Sequence, residues 1–73
     1  MRIFLEPIGL VRNRFSPRLV EMEEGSTVGT LIKLLDLPLK LNVIAIVEGK
    51  RVSMDEPVRD GSSIRIVSLT LGG

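Results

Sequence analysis

Residues 27–36, TVGTLIKLLD, are the best helix candidate in this 73-residue sequence and the stretch that most constrains its fold. Four apolar residues recur there at the i, i+3, i+4, i+7 spacing of a one-sided helix: Val28, Leu31, Ile32 and Leu35. Ser26 or Thr27 can cap the first amides of this helix, and Pro38 ends it. Since one helix can cover only one face of one sheet, the sequence predicts a two-layer α+β domain.

The remaining apolar segments have the pattern of β-strands. They are residues 1–7, 18–23, 42–48, 51–53 and 63–69. The run at 42–48, NVIAIVE, is almost entirely apolar, as is typical of a central strand with neighbours on both sides. Pro7 and Gly9 interrupt the first strand, so residues 8–17 are expected to form a loop or a wide hairpin connection.

If the last strand pairs beside the first, this order of elements makes the two strands parallel. The first hairpin then flanks one side, and the helix crosses over to bring the third strand to the other side. We therefore expect a β-grasp fold, with a mixed four- to five-stranded sheet and one main helix packed on one face. The predicted domain spans residues 1–69, and residues 70–73 form a flexible Gly-Gly tail.

Composition excludes several kinds of function. The chain has no cysteine, which rules out disulfides, thiolate metal sites and a cysteine nucleophile, and no histidine, the commonest general base. Net charge is +1 and Phe4 and Phe15 are the only aromatic residues, which disfavours nucleic acid as a partner. No apolar run approaches the roughly 20 residues that span a bilayer. We therefore expect a cytoplasmic protein that binds neither membrane nor metal.

Four sequence features together resemble the sulfur carriers of the ThiS/MoaD family, which are relatives of ubiquitin. They are MRIFL at the start, EGSTVGTLIKLL into the helix, VEGKRV…VRDGSSIRIV through the hairpin and last strand, and the final Gly-Gly. They occur in the order and at the spacing of the family over essentially the whole chain. No one of them is specific by itself.

The resemblance implies that the chain is a carrier and not an enzyme. In the family, a ubiquitin-activating-type partner uses ATP to adenylate the C-terminal carboxylate, here that of Gly73. Sulfur then displaces AMP and leaves a thiocarboxylate, from which a sulfur-accepting synthase takes the sulfur. The carrier itself binds no cofactor and is expected to be a monomer when free. Gly72 and Gly73 suit a narrow entry channel because they add no Cβ.

A docking surface for the activating partner is expected on the outward side of the last strand. If Ile64 and Ile66 point to the core, the intervening residues point outward, and Phe4 of the first strand joins them. The predicted docking residues are Phe4, Arg65, Val67, Leu69 and Leu71. Because exposed apolar residues next to the tail would adjoin the chemistry, we interpret them as a partner surface.

Some residues depart from the family pattern and leave alternatives open. Glu48 stands before the hairpin glycine Gly49, where many members have asparagine, and no pair of prolines precedes the final glycines. The loop at 8–17 is longer than in compact thiazole carriers. Thiamine-type and molybdopterin-type roles therefore both remain open. Two further hypotheses are a ubiquitin-like protein modifier joined through Gly73 and a β-grasp binding module with an idle tail.

Overall fold

The computed structural model describes residues 1–37 and 42–68. The strands are β1 (Arg2–Ile8), β2 (Arg18–Glu21), β3 (Val43–Val47), β4 (Lys50–Val52) and β5 (Ser63–Ser68). A 3-10 helix (Gly9–Asn13) follows β1, and one α-helix, α1 (Val28–Leu34), lies between β2 and β3. No helix in the described ranges is long and apolar enough to cross a membrane.

The five strands form one mixed sheet in the order β2-β1-β5-β3-β4. Strands β1 and β5 run parallel, and the other neighbouring pairs are antiparallel. The expected pairing of the last strand beside the first is confirmed, as is the central position of β3 between two neighbours. The predicted α+β fold, with a mixed sheet and one main helix, is therefore confirmed.

The core lies between α1 and one face of the sheet. Alternate strand residues meet the helix stripe there, because successive side chains of a strand point to opposite faces. The fully buried members include Ile3, Leu5, Val28, Leu31, Ala45, Ile64 and Ile66. The predicted inward residues Val20 and Met22 of the second strand segment belong to the same cluster.

Helix α1 is shorter than residues 27–36 because local interactions set both of its ends. Thr27 is the N-cap, and its Oγ1 accepts a hydrogen bond from the Thr30 N–H at 3.3 Å. After the C-cap Leu35, Asp36 has a φ of 51°, in the left-handed region that commonly ends helices. The predicted cap is confirmed, and the helix ends before Pro38, which lies outside the described residues.

One expectation around the first strand is wrong, and another is only partly right, because residues 9–17 do connect the antiparallel strands β1 and β2 but include a helical turn. Pro7 does not interrupt β1 but is a buried strand residue opposite Ile66. The pairing of β1 with β2 ends at Leu5, so β1 has no strand partner on that side at Pro7. Proline has no backbone N–H to donate, and on an unpaired side this need not remove a hydrogen bond between strands. The predicted loop at 8–17 begins with the 3-10 helix, which buries Val11 completely. That side chain adds to the core a residue that the sequence placed in a loop.

Candidate docking face and the start of the C-terminal segment

The face of the sheet turned away from α1, here called the outer face, is built from the residues that alternate with the core. Three central strands contribute most of it: Phe4, Glu6 and Ile8 from β1, Ser63, Arg65 and Val67 from β5, and Ile44 and Ile46 from β3. No helix covers this face among the described residues. Its apolar side chains are therefore open to a partner.

An apolar row crosses the outer face at one end of the sheet. Ile8, Val67 and Ile44 lie directly opposite one another on β1, β5 and β3. Directly opposed residues have Cβ atoms about 4.5 to 5.5 Å apart, so these three side chains form one continuous strip. Ile8 is 37% exposed, and the other two are half-buried. The row lies at the end of the sheet where β5 finishes at Ser68, five residues before Gly73.

A charged row lies next to the apolar row, farther from the end of β5. Glu6, Arg65 and Ile46 are opposite one another, and Arg51 of β4 extends the line. The Arg65 Nε lies 3.3 Å from the Glu6 Oε1, and both side chains are substantially exposed. Exposed ion pairs contribute about 0.2 to 1 kcal/mol, so this pair orients Arg65 more than it stabilises the fold. The outer face therefore combines an apolar strip with an oriented cation.

Phe4 lies on the outer face but not beside Val67. Its direct neighbours are Ser63, at the start of the parallel pair with β5, and Leu19 on the antiparallel strand β2. Val67 is four residues farther along the strand, a distance of about 13 Å at strand spacing. Phe4 is 39% exposed and Leu19 is 64% exposed, so they form a second apolar area on the same face.

The predicted docking residues thus divide into three groups. Val67 belongs to the apolar row, Arg65 to the charged row, and Phe4 to the more distant apolar area. The other predicted site residues, Leu69, Leu71, Gly72 and Gly73, lie outside the described residues, as does the predicted boundary between residues 69 and 70.

Sequence reasoning missed Ile8, Ile44 and Ile46 as members of the outer face. Ile8 was assigned to a loop, and the nearly unbroken apolar run of β3 hides which of its residues point outward. The strand register could have revealed them, because Ala45 opposite Ile66 fixes which β3 residues face the core. That register depends on tertiary pairing and not on local pattern.

The described ranges contain no group of three or more His, Cys, Asp or Glu side chains able to hold a metal ion. No polar or charged residue in these ranges is buried. The groups positioned by the fold are therefore surface groups.

Known proteins resemble this chain in structure but not detectably in sequence. No protein-family model matches the chain, and no curated protein matches it either. The crystal structure of SAMP1 from Haloferax volcanii is similar over 100% of both chains, with a TM-score of 0.79 and 10% identity. A structure described as Caldiarchaeum subterraneum ubiquitin is similar over 100% of this chain and 98% of its own, with a TM-score of 0.68 and 24% identity.

A third similar structure is described as a ubiquitin-like protein from the hyperthermophilic archaeon Caldiarchaeum subterraneum. It covers 99% of this chain and 100% of its own, with a TM-score of 0.61 and 22% identity. All three are matched along essentially their full length, so the likeness extends over the whole domain and not over one motif. The strand order, the parallel β1–β5 pair and these likenesses together show that the chain has the ubiquitin-like β-grasp fold.

Proposed function

We propose that this protein is a ubiquitin-like carrier whose C-terminal glycine, Gly73, is activated by an ATP-dependent partner enzyme. The apolar row is the observation that carries the proposal, because it leads to the end of β5 from which the sequence continues as LTLGG. A partner bound to Ile8, Val67 and Ile44 would lie next to the start of that segment. The fold likeness to ubiquitin-like proteins supports the same role.

The proposed chemistry takes place on the main chain. A carboxylate oxygen of Gly73 attacks the α-phosphate of ATP, pyrophosphate leaves, and an acyl adenylate forms. Hydrosulfide, or a donor equivalent to it, then attacks the carbonyl carbon, and the bond to AMP breaks to leave a thiocarboxylate. A second enzyme accepts this sulfur. The carrier needs no side-chain base or nucleophile, which agrees with a sequence without His or Cys.

The two final glycines suit entry into a partner's active site. A side chain on either residue would widen the segment and restrict its backbone angles. A Cβ on Gly73 would also crowd the path by which sulfur approaches the carbonyl carbon. The wide range of backbone angles open to glycine suits a terminus that, in this proposal, enters both the activating enzyme and the sulfur acceptor.

The test is the intact mass of the protein after incubation with ATP, its cognate activating enzyme and a sulfur donor. We expect one oxygen to be replaced by sulfur, with fragmentation locating the change at Gly73. Deleting Gly73, or adding one residue after it, is expected to abolish the change while circular dichroism and the melting temperature stay the same. A Gly73 that never acquires sulfur under these conditions would refute the sulfur-carrier proposal.

A second candidate function is that of a protein modifier joined to lysines of other proteins. Two of the similar structures are described as ubiquitin or ubiquitin-like, which favours this role as much as the first. Both roles begin with the same adenylate and differ in the acceptor. Covalent adducts in a lysate of the host that disappear when Gly73 is deleted would support the modifier, and their absence would argue for sulfur transfer alone.

The sulfur acceptor and the cellular setting form the finer part of the proposal. We propose a cytoplasmic monomer that donates sulfur to a thiazole-forming or molybdopterin-forming synthase and that binds no cofactor itself, since ATP is bound by the partner. Growth of a thiamine-requiring and a molybdopterin-requiring host, each complemented with this chain, would distinguish the two acceptors. Function that survives removal of Gly72 and Gly73 would instead indicate a binding module.

A further inference from the structure

The Ser68 side chain makes hydrogen bonds at the end of β5, where the backbone pairing with β1 has stopped. Ser68 still pairs with Val43 of β3, but the pairing of β5 with β1 stops one residue earlier. The Ser68 hydroxyl accepts a hydrogen bond from the Val11 N–H at 3.2 Å and donates a longer one to the Ile8 carbonyl oxygen at 3.4 Å. One hydroxyl therefore connects the end of β5 to the chain that leaves β1, using both its donor and its acceptor capacity.

Gly9 is packed directly against this hydroxyl. Its φ of +80° lies in the left-handed region that favours glycine. A Cβ at this position would lie 2.7 Å from the Ser68 Oγ and 3.3 Å from the Ser68 carbonyl oxygen. The first distance is too short for a carbon–oxygen contact. The chain can pass this close to the end of β5 only because residue 9 has no side chain.

The partner of Ser68 is held by the core. Val11, whose N–H bonds the Ser68 hydroxyl, is fully buried within the 3-10 helix. The Val11 carbonyl oxygen also accepts a hydrogen bond from the Arg14 N–H at 2.8 Å, which closes the last turn of this helix. The hydroxyl therefore connects the last residue of β5 to a fixed point of the domain and not to a free surface loop.

We propose that the Ser68 hydroxyl and Gly9 form a latch that fixes the backbone position and direction at Ser68, from which the sequence continues toward Gly73. Ser68 is a positioning residue in this role. Its effect on activation rests on the proposed function, whereas the latch itself rests only on the contacts around Ser68.

The latch would link docking to chemistry. Val67, immediately before Ser68, belongs to the apolar row, so the latch holds the start of the last five residues next to the docking surface. Five residues span at most about 18 Å when fully extended, which limits how far the carboxylate reaches from Ser68. A displacement of about 1 Å at a reacting group can cost on the order of 100-fold in rate. A shifted starting point would therefore lower turnover more than binding.

The experiment compares three substitutions in the full chain. Ser68→Ala removes both hydrogen bonds, Ser68→Thr keeps the hydroxyl, and Ser53→Ala removes an exposed hydroxyl just after β4. The kcat and KM of adenylation by the cognate activating enzyme are measured by pyrophosphate release. We expect Ser68→Ala to lower kcat on the order of tenfold with KM within about twofold, and the other two variants to resemble the wild type.

Two kinetic results would overturn the role in activation. One is an unchanged kcat in Ser68→Ala, and the other is an effect confined to KM. If Ser68→Ala does not fold, Ser68→Cys, which fills similar space with a weakly hydrogen-bonding thiol, is expected to show the same loss of kcat.

A measurement on the free protein separates the latch from the proposed function. Amide exchange at Val11 and the NMR order parameter of Thr70 report the latch without any partner. We expect Ser68→Ala to accelerate exchange at Val11 by at least about tenfold and to lower the order parameter at Thr70. If both stay at their wild-type values, the latch is wrong. If the wild-type protein is never adenylated, the proposed function is refuted. The exchange and order-parameter measurements on the free protein then decide by themselves whether the latch exists.

Discussion

Glu48 is the residue whose backbone conformation fits its side chain least well. Both central residues of the β3–β4 turn have positive φ, 52° at Glu48 and 77° at Gly49. Two-residue hairpins favour this geometry because its twist matches the strands, and asparagine or glycine adopts it more readily than glutamate. The sequence indicated a weakened turn signal here, and the structure shows that the glutamate nevertheless adopts the left-handed conformation.

We expect Glu48→Asn to stabilise the protein by about 0.5 to 1 kcal/mol, since asparagine relieves most of the left-handed penalty. The free energy of unfolding in urea measures the change. Glu24→Asn is a matched control, because Glu24 also precedes a turn glycine, Gly25, but has a negative φ. If Glu24→Asn changes the free energy of unfolding as much as Glu48→Asn does, the conformational explanation is contradicted. The loss of a negative charge would then account for both changes.

Gly29 is a glycine inside α1 that is explained by a close approach of another segment. Its N–H donates to the Met54 carbonyl oxygen at 2.8 Å, and a Cβ there would lie only 3.2 Å from the same oxygen. The Val28 N–H likewise donates to the Glu56 carbonyl oxygen at 2.9 Å. The segment after β4 thus satisfies the first amides of the helix, which otherwise lack partners.

We therefore expect Gly29→Ala not to give the gain of about 1 kcal/mol that helix propensity alone predicts. The new methyl group must push the Met54 carbonyl away, and a weakened hydrogen bond costs about 0.5 to 1.5 kcal/mol. Urea unfolding should show stability unchanged or lower. Lys33→Ala, at an exposed position of the same helix, should stay within about 0.5 kcal/mol of wild type. A clear increase in stability for Gly29→Ala would show that the segment after β4 moves aside at little cost in free energy.

At the scale of elements, the two faces of the sheet differ in what they contact. The inner face meets α1 and holds the core, so its residues are constrained by packing. The outer face carries the apolar row at the end where β5 finishes, together with the charged row beside it. Both faces are apolar on β3, which is why the strand reads as an unbroken apolar run.

Ile8 is the member of the apolar row best suited to a test of docking, because it is 37% exposed and lies at the end of β1. We expect Ile8→Ala to lower kcat/KM for activation on the order of tenfold, as for a buried contact in a partner interface. Leu34→Ala is the matched control, since Leu34 is 60% exposed but belongs to α1, on the other layer. A similar loss in both variants would argue against docking through the outer face.

At the scale of the whole molecule, the parallel β1–β5 pair joins the two ends of the described chain. Loop contacts strengthen this closure: the Arg2 N–H donates to the Asp60 Oδ1 at 2.7 Å, and the Gly61 N–H donates to the Arg2 carbonyl oxygen at 2.8 Å. The two strands are also interior members of the sheet, with β2 and β3 on their outer sides. Opening either strand therefore requires the sheet to break in the middle.

We expect native-state hydrogen exchange to be slowest in β1 and β5 and much faster in the edge strand β4. Amides of Leu5, Ile64 and Ile66 should exchange only by global unfolding, because these residues are buried and lie on interior strands of the sheet. Amides of Lys50–Val52 should exchange through local opening. Protection in β4 that equals protection in β5 would contradict this order and indicate that the sheet opens as one unit.

Local pattern determined much of this protein from the sequence. The alternation in β1 and β5, the stripe of α1 and the cap at Thr27 follow from the geometry of strands and helices, which repeats every few residues. Together they were enough to predict the α+β fold and the parallel pairing of the first and last strands. The resemblance to sulfur carriers implies chemistry on the main chain, with which the lack of His and Cys agrees, and that interpretation remains a proposal.

Tertiary structure decided what depends on contacts between distant residues. Pro7 continues a strand because β2 ends before it, and Val11 is buried because the 3-10 helix folds against the sheet. The apolar row exists only in the register that sets Ile8 beside Val67, and the Ser68 latch only where Gly9 passes within contact of β5. A local sequence pattern does not predict these features. Each of them either joins residues more than 50 positions apart or depends on where a neighbouring strand ends.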